Sequence, residues 1–237
     1  MRSIQATDSD VLIVGAGAAG AAAAWSLSRN GLKVTCLEQG RWIEKSEYAH
    51  GRPDYELARQ EEFHKDPNVR RWPEDYPINT SGTPIRPLMM NAVGGSTVHW
   101  SGHFPRMRPS DFRVRTLDGV ADDWPLTYWD LEPFYELNDS MIGVSGLSGD
   151  PGNPPRGVRQ TPPLGFDAAC EAYFRGLDKL AWHWWPSDNA LISEAFGRDR
   201  SACNACGPCD IGCPTASMSS AHVTYWPMAM ENGVDLI

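Results

Sequence analysis

The pattern of apolar and polar residues predicts the most regular folding near the start of the chain. Residues 11–14, after Asp10, form a short apolar run, which is typical of a buried parallel strand. After a glycine-rich turn, small and apolar residues through Ala24 and Leu27 predict a helix that ends near Gly31. A second apolar run over residues 34–37 predicts a second strand. Residues 10–40 therefore predict a strand–helix–strand unit.

The middle of the chain predicts fewer regular elements. Residues 41–90 combine repeated prolines with charges, and because proline interrupts helices and central strands, we expect a long, partly helical excursion over the surface. Amphipathic helices are predicted over 127–141, with Thr127 as N-cap, and over 166–180, separated by a Pro- and Gly-rich loop at 147–165. The expected apolar face of the first helix consists of Trp129, Leu131, Phe134, Tyr135 and Leu137.

The last residues predict a helix followed by a strand. Residues 221–232 fit a helix with Gly233 at its C-terminal end, and residues 234–237 begin a strand. Because a strand needs a neighbour to satisfy its backbone hydrogen bonds, we expect the chain to be a truncated part of a longer protein, with this last strand unpaired.

Composition and charge exclude several classes of protein. With 41% apolar residues and no apolar run approaching the length of about 18 residues that a membrane span needs, the chain is globular and has no membrane span. A net charge of −9 argues against a partner that is a nucleic acid. The first nine residues are polar and lack the apolar stretch of a secretory signal, which predicts a cytoplasmic protein.

The turn after the first predicted strand has the glycine spacing of a dinucleotide-binding site. Gly15 permits a tight turn, Gly17 lets the backbone approach a pyrophosphate, and Gly20 lets the helix pack close to the strand. Glu38, at the end of the second strand, is placed to accept hydrogen bonds from ribose hydroxyls and disfavours a 2′-phosphate. The spacing does not separate FAD from NAD, and a turn of this kind without a ligand is the alternative. The candidate residues are Gly15, Gly17, Ala18, Ala19, Gly20 and Glu38.

A second glycine-rich segment spans residues 91–102. Paired glycines followed by hydroxyl side chains offer backbone N–H groups and small donors, which suit a flat polar ring or a phosphate. An ordinary glycine-rich loop is the alternative. The candidate residues are Gly94, Gly95, Ser96, Thr97 and His99.

With these two segments in place, the sequence resembles the glucose–methanol–choline oxidoreductases, a family of FAD enzymes. The matching stretches are residues 11–20 with Glu38, 93–97, 123–126 leading into 131–135, and 223–227. The resemblance implies an α/β chain with a Rossmann-like FAD-binding fold and part of an α+β substrate domain. The implied domains are the N-terminal part of the FAD-binding domain at 8–110, a helical and loop region at 111–199, and a Cys-rich turn at 200–237 that returns into the FAD-binding domain.

The resemblance also implies roles in the second glycine segment. Residues 94–97 would lie along the pyrophosphate and isoalloxazine of FAD. The family usually has Asn a few residues after the paired glycines, whereas this chain has His99 and Trp100, as in the sugar and gluconate dehydrogenase branch and in pyranose oxidase. His99 matches a histidine that is bonded covalently to flavin in pyranose oxidase; a polar contact beside the flavin and a hydrogen-bonded core histidine are the alternatives.

By resemblance, the protein is an FAD-dependent oxidoreductase that oxidises a CH–OH group of a small alcohol or sugar substrate by hydride transfer to flavin. The electrons would pass to oxygen, a cytochrome or a quinone. A small accessory subunit would be a further partner, and the protein would be exported to the periplasm together with that subunit. The family's catalytic base lies near the C-terminus of a longer chain, so no catalytic residue is assigned here and the 237 residues alone are expected to be inactive. The alternative is a flavin and iron–sulfur electron-transfer module without substrate chemistry.

Four cysteines crowd into residues 203–213 with the spacing of a bacterial ferredoxin motif. This spacing predicts an iron–sulfur cluster, either [4Fe–4S] on all four thiolates or a [3Fe–4S] cluster on three of them, which resembles a site in an FAD-dependent member of the same family. Structural or disulfide-forming thiols are the alternative, and zinc fits less well because it prefers two separated pairs. The four candidate ligands are Cys203, Cys206, Cys209 and Cys213.

Overall fold

A computed structural model of the chain describes residues 8–86 and 88–237. Most of the polar N-terminal stretch considered above, residues 1–7, lies outside the described residues. The chain forms two compact units, the first from residues 1–101 and 204–237 and the second from residues 102–203. The division into predicted domains at 8–110, 111–199 and 200–237 stays a prediction.

The described residues contain seven α-helices, three strands and four 3₁₀ helices. The α-helices are α1 (Ala18–Arg29), α2 (Tyr55–Gln60), α3 (Pro67–Arg70), α4 (Val114–Asp118), α5 (Tyr128–Ile142), α6 (Ala168–Lys179) and α7 (Tyr225–Glu231). The strands are β1 (Val11–Val14), β2 (Val34–Leu37) and β3 (Asp235–Leu236). The 3₁₀ helices are Lys45–Glu47, Ala49–Gly51, Gly95–His99 and Pro109–Phe112. In the described part of the chain, no helix is long and apolar enough to cross a membrane.

The first unit is built on a parallel sheet in the order β1-β2-β3, with α1 packed against α7. The predicted strand–helix–strand unit is confirmed: β1 pairs with β2 in parallel, and α1 connects them. The α/β class and the Rossmann-like arrangement follow, because a crossover helix between parallel strands is the repeating unit of such folds.

Strand β1 is not buried as the sequence predicts. It lies at the edge of the sheet, and Leu12 and Val14 are 60% and 81% exposed. The apolar run correctly indicated a parallel strand, but burial on both faces also requires layers that these described residues do not supply.

The predicted last strand forms, and it is paired. The N–H of Ile237 donates to the carbonyl of Cys36 at 2.9 Å, and the N–H of Glu38 donates to the carbonyl of Ile237 at 2.8 Å. The expectation of an unpaired terminal strand is therefore wrong, because β2 offers its free edge to β3.

Residues 41–90 form part of the core as well as the surface. A buried apolar cluster takes most of its members from this stretch and closes against Val98 and Ile211. The predicted partly helical character is correct, but the predicted course over the surface is wrong for these residues, because the apolar side chains between the prolines pack together. The members from this stretch are Ile43, Tyr48, Ala49, Ala58, Phe63 and Met90.

In the second unit, both predicted helices form, but the buried residues of α5 differ from its predicted apolar face. Thr127 caps α5 as predicted, and its N–H donates to the Asp130 carboxylate at 2.8 Å. The helix buries Tyr128, Asp139 and Ile142, whereas much of the predicted apolar face is exposed. Asp139 is buried in an ion pair with the guanidinium of Arg106 at 2.6 Å, a contact that the pattern of the helix alone did not indicate. Helix α6, capped by Asp167, buries none of its described residues.

Candidate functional site

The three glycines of the first turn occupy three different environments. Gly15 has φ +96°, and its N–H donates to the carbonyl of Leu37 at 2.8 Å, which closes the turn onto β2. A Cβ on Gly20 would overlap the Gly15 carbonyl, so this position holds helix and strand in close contact. A Cβ on Gly17 would meet no atom of the described residues within 4 Å. The backbone at Gly17 therefore faces open space, as a pyrophosphate site requires.

The N-terminus of α1 opens onto the same space. The helix begins at Ala18, and Gly17 as N-cap makes no side-chain hydrogen bond to the first turn. The first turn contains no acidic residue, so the positive end of the helix dipole is not compensated there. Ala18 and Ala19 are exposed. Unpaired N–H groups at such a terminus are suited to bind a phosphate.

Glu38 lies at the end of β2, beside the turn. One carboxylate oxygen accepts a hydrogen bond from the N–H of Ala16 at 2.7 Å, and the other accepts one from the N–H of Gly40 at 2.8 Å. These bonds fix the carboxylate next to the turn while it remains half-buried. Its recognition of ribose stays a prediction.

The fold brings the second glycine segment against the first. The N–H of Gly94 donates to the carbonyl of Ala16 at 2.9 Å, and Trp226 donates its indole N–H to the same carbonyl at 2.8 Å. A Cβ on Gly95, which has φ +55°, would lie 3.1 Å from the Cα of Gly17. The two segments, separated by about 75 residues in sequence, therefore form one glycine-lined surface.

The polar side chains of the second segment have different roles. Thr97 donates its hydroxyl to the carbonyl of Gly94 at 2.6 Å and accepts from the N–H of Ala221 at 2.9 Å, so it holds the segment in place. Ser96 is exposed. His99 is 5% exposed, and its Nδ1 has no hydrogen-bond partner among the described residues. Burial, with the positive charges of Arg70 and Lys65, lowers the pKa of His99 to about 4, so the ring is neutral.

A buried histidine, His222, packs against the glycine-lined surface at Gly94, a contact that the sequence did not predict. His222 is hydrogen-bonded through Nδ1 to the Ser220 hydroxyl at 3.0 Å and through Nε2 to the Tyr48 hydroxyl at 3.3 Å. A Cβ on Gly94 would lie 3.2 Å from the backbone nitrogen of His222. Both ring nitrogens of this core histidine are therefore hydrogen-bonded. Nothing in the local sequence indicated that it lies against Gly94, because that contact depends on the return of the chain after the cysteines.

The cysteine run does not fit a metal cluster in this structure. None of the four cysteines is in a disulfide, and within residues 8–86 and 88–237 no three or more His, Cys, Asp or Glu side chains are grouped to hold a metal ion. Cys213 has its own hydrogen bonds instead: the N–H of Met218 donates to its Sγ at 3.4 Å, and the Ser217 hydroxyl lies at 3.2 Å. Burial alone would raise the pKa of Cys213, but hydrogen bonds from Ser217, Thr215 and Met218 lower it.

The glycine-lined surface fits FAD. It offers the open backbone at Gly17 and the N-terminus of α1, which suit the charge of a pyrophosphate, and the carboxylate of Glu38, which suits the hydroxyls of a ribose.

Comparison with known proteins agrees with this assignment. The profile of the family described as "FAD dependent oxidoreductase" matches residues 10–52. A 2-methyl-1,2-propanediol dehydrogenase from Mycolicibacterium austroafricanum is 44% identical over 98% of this chain and 42% of its own length. The fructose dehydrogenase large subunit from Gluconobacter japonicus is 28% identical over 89% of this chain and 42% of its own length. A paromamine 6'-oxidase from Streptomyces fradiae is 30% identical over 91% of this chain and 37% of its own length.

The chain spans about two fifths of the length of the curated relatives it matches. The matched profile lies on the β1–α1–β2 unit and the turn that lead to the glycine-lined surface. The comparisons thus confirm the resemblance to the N-terminal, FAD-binding part of the glucose–methanol–choline oxidoreductases.

Proposed function

We propose that the whole protein is an FAD-dependent oxidoreductase that oxidises a CH–OH group of a small alcohol or sugar. The observation that carries this proposal is the junction of the two glycine segments at Gly17 and Gly95, beside the N-terminus of α1. The named relatives, two dehydrogenases and an oxidase of hydroxylated compounds, support the reaction class.

In this proposal, the residues of the chain bind and position the cofactor. Gly17 and the N-terminus of α1 would bind the pyrophosphate, and Glu38 would accept hydrogen bonds from the adenosine ribose. Residues 94–97 would lie along the flavin, held by the bonds of Gly94 to Ala16 and of Thr97 to Ala221. When bound, FAD supplies a hydride acceptor. We assign no proton-abstracting base to the 237 residues.

His99 would contact the flavin as a neutral ring. It lies at the end of the 3₁₀ helix that begins with Gly95, and its buried Nδ1 without a partner is available to a bound group. A covalent bond to flavin is one form of this contact. Acid precipitation of the full-length protein distinguishes the two forms, because covalent flavin stays with the pellet and non-covalent flavin does not.

The electron acceptor and further subunits are also part of the proposal. A relative whose name includes "large subunit" supports assembly with an accessory subunit. A cytochrome, a quinone or oxygen would take the electrons, in the cytoplasm or in the periplasm together with a partner subunit.

An iron–sulfur cluster at Cys203, Cys206, Cys209 and Cys213 is supported by the spacing alone. Since the described residues do not group as metal ligands, we route no electron through this segment. Iron analysis of anaerobically purified full-length protein tests the cluster directly, with about three or four iron atoms per chain expected for a cluster and none for free thiols.

The proposed reaction is tested by anaerobic titration of the full-length, FAD-loaded protein with alcohols and sugars. Bleaching of the oxidised flavin absorption by at least one of them is expected. A flavin that is reduced by artificial donors but by no alcohol or sugar would instead support the electron-transfer alternative, which none of the named relatives favours.

A further inference from the structure

The second unit contains a cavity of about 340 Å³, separate from the glycine-lined surface. Its volume is at the lower end of the range for small-molecule sites, about 300–1,000 Å³. Four arginines line it: Arg106, Arg108, Arg156 and Arg159. Much of the remaining wall is apolar, from Pro105, Leu147, Pro154, Pro155, Trp185 and Pro186.

The acidic groups on the cavity wall are already engaged. Asp188 accepts a hydrogen bond from Nε of Arg159 at 3.0 Å on one oxygen, and on the other it is paired with Nη1 of Arg156. Asp150 accepts from the N–H of Gly152 at 2.9 Å and is paired with His183 at 2.8 Å. Neither carboxylate is left to attract a cation.

Three of the four arginines are engaged in ion pairs as well, Arg156 through its Nη1 alone. Arg106 binds Asp139 at 2.6 Å and Glu136 at 2.8 Å, and Arg159 binds Asp188. These charges balance one another in a buried network, which holds the wall in a fixed geometry.

The remaining capacity of the wall is for donating hydrogen bonds. Arg156 uses Nη1 for Asp188, but its Nε is buried without a hydrogen-bond partner among the described residues, and its side chain is only 11% exposed. The guanidinium of Arg108 forms no ion pair within residues 8–86 and 88–237. A guanidinium presents five donors in a fork that matches the two oxygens of a carboxylate.

We propose that this cavity binds the carboxylate of a small organic acid. Arg108 and Arg156 hold the carboxylate, and Trp185 with the surrounding prolines contacts the organic part of the ligand. The apolar share of the wall favours an organic acid over an inorganic anion, because phosphate has no surface to place against Trp185. This inference does not depend on the proposed oxidoreductase activity.

The position of Asp188 shows that the arginine arrangement is built into the backbone. A Cβ on Gly146 would overlap Oδ1 of Asp188, so only glycine lets the carboxylate approach the chain closely enough to pair with Arg159. The arginines are therefore held in place before any ligand arrives, which lowers the entropic cost of binding.

The test is isothermal titration of the full-length, FAD-loaded protein with benzoate, with neutral benzamide and with inorganic phosphate. Benzoate and benzamide have nearly the same shape, so the difference in their affinities measures the contribution of the carboxylate charge, apart from the apolar contact of the ring. We expect benzoate to bind and benzamide to bind at least tenfold more weakly, with phosphate weaker than benzoate. Equal binding of the two aromatic probes, stronger binding of phosphate, or no heat from benzoate at millimolar concentration would overturn the proposal.

Two variants locate the site. Arg108→Gln breaks no ion pair of the described residues and should raise the dissociation constant for benzoate about tenfold or more, since a charge-assisted hydrogen bond contributes roughly 1.5–3 kcal/mol. Arg156→Lys preserves the positive charge beside Asp188 but not the forked donors of the guanidinium, and it should weaken the binding of benzoate to a similar extent. Arg175→Gln, at an exposed position on α6, is the matched control and should leave the dissociation constant for benzoate unchanged. Unaltered benzoate binding in Arg108→Gln and Arg156→Lys would place the ligand elsewhere and overturn the proposal.

Discussion

Gly95 lies against Gly17: a Cβ at position 95 would be 3.1 Å from the Cα of position 17. This approach joins two segments that the sequence predicted separately, and it depends on the φ of +55° at Gly95. The same surface is anchored by the carbonyl of Ala16, which accepts hydrogen bonds from Gly94 and Trp226. One backbone carbonyl of the dinucleotide turn thus orients both the second glycine segment and α7.

Replacing Glu38 is expected to weaken FAD binding. Glu38→Gln keeps the shape of the side chain but removes the charge that would bind two ribose hydroxyls, at about 1.5–3 kcal/mol for each charge-assisted hydrogen bond. We expect the dissociation constant for FAD to rise at least tenfold, measured by equilibrium dialysis of the full-length protein. The matched control is Glu56→Gln, an exposed glutamate in α2. FAD retention by Glu38→Gln at the wild-type level would contradict the role of this carboxylate.

Stability is expected to fall between neutral pH and about pH 4. Burial, with the nearby Lys45, lowers the pKa of His222 to about 4, and His99 is similarly affected by burial, Arg70 and Lys65. In the unfolded chain both rings bind a proton near pH 6.5, so the unfolded state binds more protons in this window and stability is lost as the pH falls. For each histidine, the free energy of unfolding falls by about 3 kcal/mol once the pH has dropped to the pKa of that ring in the folded state.

Urea unfolding at several pH values measures this loss. His222→Gln should remove about half of the loss that the two histidines cause, because a glutamine cannot titrate. A free energy of unfolding that stays constant from pH 7 to pH 4.5 would show that the two rings are not held neutral by burial.

Gly146→Ala should destabilise the second unit. The new Cβ would displace Asp188 and break its buried pairs with Arg156 and Arg159. Breaking a buried pair of this kind costs on the order of 3–5 kcal/mol. Gly165→Ala is the control in the same unit, since a Cβ there meets nothing within 4 Å. Chemical unfolding that gave equal stabilities for the two variants would contradict the account of the network.

The sequence predicted local elements well where a single signal determined them. Thr127 before α5, the glycines before α1 and Gly233 after α7 each have a local conformational reason, and the structure confirms those element ends. The parallel pairing of β1 with β2 followed from the glycine turn and the crossover helix.

What the sequence could not predict depends on contacts between distant residues. The buried face of α5 includes Asp139, which pairs with Arg106 from 33 residues earlier in the chain, whereas much of the predicted apolar face is exposed. In the same way, the position of His222 behind Gly94 depends on the return of the chain into the first unit. A charged residue that is buried in an ion pair cannot be told from an exposed one in the sequence, so the contact of Arg106 with Asp139 had no local signal.

The central claim, that FAD binds where Gly17 and Gly95 meet, is tested most directly by the FAD affinity of Gly17→Ala in the full-length protein. A methyl group at this position meets no atom within 4 Å in the part of the chain that the structure describes, and Gly17 has φ −70°, which suits any residue, so the fold should be preserved. The methyl would occupy the space of the pyrophosphate, and we expect the melting temperature of the FAD-free protein to be unchanged while the dissociation constant for FAD rises at least a hundredfold. Gly20→Ala, whose Cβ overlaps the Gly15 carbonyl, is the comparison that should instead lower the melting temperature. Wild-type FAD affinity in a folded Gly17→Ala protein would contradict the account.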